Sequence, residues 1–236
     1  MTDTGEPTEL EDVIIIGTVA VPGGPKPGGG GGGGTFGGIN ANELTEEPTA
    51  APDGVWTPEE AEDENARQAE CAAKKFGEEV QSLGSRGEEV EHFSVTWKKD
   101  GNNVTSEIRE ATGRNGNMPI GSAVSSTDFN SLSGAYGGIP LSQITGFNHS
   151  HAADIYCNGT GLLLQNQRRD NQRPSDNDWD FADALTNSNP GHGLVLYLRD
   201  CEGAIRAFPY ADNQAYRNGS RPTPDPISPS GCDDAG

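Results

Sequence analysis

Leu141-Ser142-Gln143-Ile144-Thr145-Gly146-Phe147-Asn148-His149-Ser150-His151 reads as a strand, Leu141 to Phe147, that runs into two histidines. In an extended backbone residues i and i+2 point to the same side, so both imidazoles aim at one point. Downstream, Pro174-Ser175-Asp176-Asn177-Asp178 opens a helix over Ser175 to Leu185, with Trp179, Phe181, Ala182 and Leu185 available for packing. Leu194-Val195-Leu196-Tyr197-Leu198 is a strand, Asp200 to Gly203 its turn, and Ala204 to Tyr210 the antiparallel return.

Upstream, Val90, Phe93, Val95 and Trp97 predict another strand. Asp100-Gly101 is its hairpin turn and Val104 to Ile108 its partner. Before it, Thr57-Pro58-Glu59-Glu60 is a capping box with proline at the first helical position. Ala69, Ala72, Ala73, Phe76, Val80 and Leu83 then form one apolar face, and Gly84 is a stop. Residues 111–140 are rich in Gly, Ser and Asn, and their pattern leaves helix, strand and loop undecided. The order helix, hairpin, strand, helix, hairpin predicts an α+β fold: a mixed, largely antiparallel sheet flanked by helices.

The flanks differ from this block. The net charge is −20, and residues 1–65 carry 14 acids against one base, Lys26. That region also holds the Gly28–Gly34 run, and it cannot bury enough apolar surface to offset its chain entropy. Residues 1–55 are therefore expected to be a disordered acidic, Gly-rich arm, 56–212 the folded domain, and 213–236 a flexible Pro-rich tail. Val13-Ile14-Ile15-Ile16 is an apolar island in the arm, equally readable as a docking β segment or an unpaired patch. The charge argues against nucleic acid as a partner, because phosphate contacts need clustered Lys and Arg. No apolar run is long enough to span a membrane. The acidic start lacks the pattern of an ordinary signal peptide, so synthesis in the cytoplasm is expected.

His149 and His151 are the candidate metal ligands, and neutral imidazoles suit Zn2+. Asp178, three residues after Ser175, can add an oxygen ligand. Ser175 and Asp178 also match a helix capping pair, and both roles are compatible. Cys71, Cys157, Cys201 and Cys232 show no CxxC pair, which argues against a cysteine-rich zinc site. Their even number permits disulfides, with Cys157 and Cys201 the pair to test, and free thiols fit equally well. His192 reads as a turn residue and His92 as an exposed one.

The elements His149-Ser150-His151 and Ser175-Asp176-Asn177-Asp178 together resemble the JAB/MPN (JAMM) metallopeptidase signature, H-[ST]-H-P followed by S-x-x-D after an upstream Glu. The likeness is nearest to JAB-like domains of bacterial toxin and effector proteins and covers roughly residues 65–212. Ala152 stands where the family has Pro, and residues 152–174 look like an insertion. The resemblance implies a cytidine-deaminase-like layering of sheet and helices. It implies one zinc held by His149, His151 and Asp178, with a water at the fourth position. It further implies a strand-borne Glu as acid/base, Glu91 with Glu89 in reserve, and Ser175 as oxyanion donor. The expected activity is zinc-dependent hydrolysis of an amide or isopeptide bond in a protein or peptide. Two alternatives stay open: a catalytically silent binding module on the same fold, and a metal-dependent hydrolase of a non-peptide bond using Arg168, Arg169 and Arg173. The resemblance also brings a secretion apparatus or carrier protein and an immunity protein as partners, with delivery by a specialised secretion system.

Overall fold

The computed structural model describes residues 44–45, 58–157, 170–189, 191–229 and 232. All fall within a unit spanning residues 41–236. The Val13–Ile16 island, the Gly28–Gly34 run and the insertion residues 158–169 lie outside the described residues.

The fold is α+β, with one mixed and mostly antiparallel sheet. In chain order its strands are β1 (Leu44–Thr45), β2 (His92–Lys99), β3 (Asn102–Thr105), β4 (Arg109–Glu110), β5 (Ile144–Ser150), β6 (Val195–Arg199) and β7 (Ile205–Pro209). The spatial order is β1-β3-β2-β5-β6-β7, with β4 also pairing β2. The helices are α1 (Pro58–Ser82), α2 (Ser85–Glu89), α3 (Ser126–Ala135), α4 (Ala153–Tyr156), α5 (Asp176–Thr186) and α6 (Asn213–Arg217).

Both expected hairpins form. Lys99 faces Asn102 across the β2–β3 turn. Asp100 and Gly101 there take φ of 53° and 89°, the left-handed pair that a two-residue hairpin needs. In the second hairpin Arg199 faces Ile205, and Asp200, fully buried, accepts the Glu202 and Ala204 backbone N–H groups. Pairing of β5 with β6 is parallel, and α5 lies in the crossover between them.

Three layers result. One sheet face carries Phe93, Val95, Trp97, Phe147, Leu196, Leu198 and Phe208. They pack with Phe129 and Leu132 of α3, with Trp179, Phe181 and Leu185 of α5, and with Tyr216 of α6. Each such side chain contributes about 1.5–3 kcal/mol on burial. The other face is small and polar. Ala69 and Ala73 of α1 pack there on Tyr197, and the Asn148 side-chain amide donates to Ser94 Oγ at 3.0 Å.

Several expectations are corrected. The first six residues of β2 are buried, so His92 is 1% exposed rather than at the surface. A strand covered on both faces has no solvent side for its alternation to mark. Residues 111–140 contain α3, opened by a full capping box between Ser125 and Asp128. The expected arm contributes β1, whose Leu44 and Thr45 pair with Thr105 and Val104. The packed domain also runs beyond residue 212. Tyr216 is in the core, Pro224 accepts a bond from Arg206 at 2.6 Å, and Ile227 N–H donates to Ile205 on the edge of β7. Cys232 is joined to Cys71 of α1 by a disulfide, and Cys157 is joined to Cys201.

Candidate metal centre

The site lies where β5 ends and the crossover to β6 begins. In open sheets with parallel strands, ligands gather at such carboxyl ends. His149 is in β5, its ring stacked on Phe147 with centroids 5.2 Å apart. His151 follows the strand, and its backbone N–H still donates to Arg199 O at 3.0 Å. That bond continues the extended path, so the two imidazoles share one face. Asp178 arrives from the first turn of α5, whose N-cap is Ser175.

One ligand atom from each of His149, His151 and Asp178 lies within 4.8 Å of the others, and all three residues are buried. Asp178 Oδ1 is 3.5 Å from His149 Nε2 and Oδ2 is 3.3 Å from His151 Nε2. The group can hold a metal ion.

Hydrogen bonding tests whether a metal fits. His151 Nδ1 is 2.9 Å from Asn171 O. A carbonyl only accepts, so Nδ1 carries the proton. In a neutral ring Nε2 then presents a lone pair toward a carboxylate oxygen. In that form two acceptors face each other at 3.3 Å, and either a proton on Nε2 or a metal cation between them reconciles the contact. Both ring nitrogens of His149 are buried and lack a hydrogen-bond partner among the described residues. An orphaned buried polar group costs about 1–3 kcal/mol, and ligation removes that cost. Burial acts most strongly on Asp178 and raises its pKa. Electrostatic attraction to His149, together with the close contact of His151, outweighs it and holds the carboxyl well below its ordinary range.

Glu91 immediately precedes β2 and is buried at 2% exposure. Phe93 pairs with His149 in antiparallel register. Extended two residues beyond the paired strands, this register would set Glu91 opposite His151. The backbone fixes this position: Glu91 N–H donates to Gly121 O at 2.7 Å, and Ala111 N–H donates to Glu91 O at 2.8 Å. Glu89, the reserve, ends α2 instead, exposed and 3.4 Å from Arg86.

Ser175 Oγ accepts the Asp178 backbone N–H at 3.3 Å, and Asp178 Oδ2 accepts that of Ser175 at 2.6 Å. The hydroxyl proton of Ser175 is not used by this cap. Beside it opens a cleft of about 580 Å³, lined by His151, Ser175, Trp179, Tyr216, Ile155 and Met118. Arg173 borders the cleft with its Nε bonded to Thr223, while Arg168 and Arg169 lie outside the described residues. His92 sits on the opposite face of β2 from Phe93, its Nδ1–H donating to Val90 O at 3.1 Å. His192 bonds Leu141 O through Nε2 and accepts Leu194 N–H at Nδ1, as a turn residue does.

Asn171 is the residue that sequence reasoning passed over. Its contribution to His151 is a backbone carbonyl, for which no residue type is a signal.

Comparison with family models, with curated proteins and with solved structures gave no match. Among the described residues, no helix is long and apolar enough to cross a membrane.

Proposed function

We propose that the domain is a zinc-dependent hydrolase of an amide or isopeptide bond in a protein or peptide. The observation that carries this reading is the buried His149–His151–Asp178 group; the burial of Glu91, two residues before the Phe93 that pairs with His149, supports it. Two imidazole nitrogens and one carboxylate oxygen form a donor set that suits zinc and leaves a position open.

When bound there, zinc supplies Lewis-acid activation of a water and of the scissile carbonyl. Glu91 takes the proton of the attacking water and returns it to the leaving nitrogen. Ser175 Oγ–H donates to the carbonyl oxygen as negative charge develops on it. The 580 Å³ cleft lined by His151 and Ser175 receives the substrate chain, with Trp179 and Tyr216 as its apolar wall. The two disulfides suit work in an oxidising space, as for an effector or toxin module delivered out of the cell.

The test measures metal by elemental mass spectrometry and cleavage of a mixed peptide library. Zinc near one per chain, lost in H149A/H151A, together with peptide cleavage that E91Q abolishes while keeping its zinc, is the expected result. Absence of zinc from folded protein after incubation with it overturns the reading. Cleavage that survives in E91Q removes Glu91 from the chemistry.

A further inference from the structure

Taking His149, His151 and Asp178 as the metal ligands of the proposed function, we propose that the Cys157–Cys201 disulfide, acting through Asn171, sets the orientation of His151, and that its reduction weakens metal binding. Asn171 is thereby a positioning residue and the disulfide a redox control on the site.

The contacts form a closed circuit. From His151 the chain passes through Ala152 and the single turn of α4 to Cys157. Cys157 is bonded to Cys201. The Cys201 backbone N–H donates to Asn171 Oδ1 at 2.7 Å. The Asn171 carbonyl accepts His151 Nδ1–H at 2.9 Å, which closes the circuit. Every link except the disulfide and two hydrogen bonds is continuous chain.

Cys201 is the fixed post of this circuit. It stands in the β6–β7 turn beside Asp200, which is fully buried and holds the turn through Glu202 N–H and Ala204 N–H. Cys157 hangs from its sulfur and Asn171 from its backbone nitrogen. These two attachments bracket residues 158–170 in sequence. Asn171 is itself 3% exposed.

The consequence for the metal follows from the tautomer. A metal-binding imidazole must offer one lone pair in a fixed direction, and the hydrogen bond at the other nitrogen provides that. Here the acceptor is a carbonyl on a segment attached to the sheet at Cys201. With the disulfide open, Cys157 is released from that post, and the Cys201 N–H bond to Asn171 Oδ1 is the circuit's remaining cross-link to the turn. The ring of His151 then gains freedom to turn, and Nε2 is less often aimed at Asp178.

The redox step balances with a dithiol as reductant. One thiolate attacks a disulfide sulfur and forms a mixed disulfide. The second thiolate displaces the protein sulfur, the reductant leaves as a cyclic disulfide, and the two protons given up by the dithiol pass to the released sulfurs, so that Cys157 and Cys201 end as thiols.

The test uses the full chain and two readouts. Zinc affinity is measured by competition with a chromophoric chelator. The His151 tautomer is read in metal-free protein by ¹⁵N NMR of the ring. C157S/C201S imitates the open state without adding thiol ligands, and C71S/C232S serves as a control for general loosening. Outer-shell partners of metal ligands typically contribute about 10–100-fold in affinity. The expected result is a loss of that size in C157S/C201S and in N171A. N171D, which keeps the acceptor for Cys201 N–H, should restore most of it, and C71S/C232S should bind as the wild type does. The Nδ1–H signal of His151 should be fixed in the wild type and averaged in C157S/C201S.

Zinc bound as tightly by C157S/C201S as by wild type, with the same His151 tautomer, overturns the proposal and leaves the metal reading intact. An equal loss in C71S/C232S also overturns it, since the effect would then be general loosening. Failure of oxidised wild type to take zinc removes the metal reading itself, and the proposal with it.

Discussion

Ser175 and Asp178 bond to each other twice across the first turn of α5: Asp178 Oδ2 accepts the Ser175 N–H at 2.6 Å, and Ser175 Oγ accepts the Asp178 N–H at 3.3 Å. The same carboxylate oxygen is 3.3 Å from His151 Nε2. Helix capping and metal ligation therefore use one side chain. The cap sets the side-chain direction of Asp178, and helix position sets its distance from β5.

Replacing Asp178 by Asn separates the two roles. An amide oxygen still accepts the Ser175 N–H, so the helix start should survive. The anionic ligand is gone. Metal content by elemental mass spectrometry should fall from near one per chain to background, with the far-UV circular dichroism unchanged. Full zinc content in D178N would exclude Asp178 as a ligand.

Ser175→Ala should show two losses of different size. Loss of an N-cap hydroxyl costs about 0.5–2 kcal/mol of stability, measurable by urea unfolding. Removing an oxyanion donor lowers kcat by about 10²–10³-fold. Zinc content should stay unchanged. A drop in kcat no larger than fivefold would leave Ser175 as a cap alone.

How much of this was legible in the chain depends on the kind of signal. His149, His151 and Asp178 were readable because a strand period and a capping spacing are local rules, and the fold obeys both. The Asp100-Gly101 turn was readable for the same reason. α3 was missed although its Ser125-Ser126-Thr127-Asp128 start is a capping pattern. Its apolar face rests on Phe129 and Leu132 alone, too few for a clear helical period. His92 was misplaced because α1 covers what alternation marked as a solvent face. The Cys71–Cys232 pairing and the bond from Asn171 to His151 are tertiary facts. They join residues 161 and 20 positions apart through atoms that carry no sequence mark.

The Cys71–Cys232 disulfide closes the longer of the two loops, and it attaches the C-terminal segment to α1. Its loss lets the unfolded chain expand and frees Ile227 to leave the edge of β7. Replacing both cysteines by Ser should lower stability by about 2–5 kcal/mol, read from urea unfolding under oxidising conditions. A stability within 0.5 kcal/mol of wild type, roughly the level of an ordinary surface change, would show that the bridge does not constrain the unfolded chain.

His92 supplies the pH dependence. Burial is the largest influence on its ring and pushes the pKa down. The Val90 carbonyl and Glu110 push it up without restoring the ordinary value, while Arg86 and Arg199 push it further down. The folded pKa thus lies below that of the unfolded chain, about 6.5. Between the two values the unfolded chain binds the extra proton, so stability rises with pH in that window. The stabilisation is fully present above about pH 6.5 and is lost as pH falls through the folded value, each unit of depression being worth about 1.4 kcal/mol. Asn at position 92 can keep a donor toward Val90 O and does not titrate. With metal removed from both proteins by a chelator, His149, His151 and Asp178 are common to both and cancel in the difference. Urea unfolding of wild type should therefore lose more stability between about pH 7 and pH 5 than His92→Asn does. Parallel pH profiles for the two proteins would show that His92 takes its proton in the folded state as readily as in the unfolded chain.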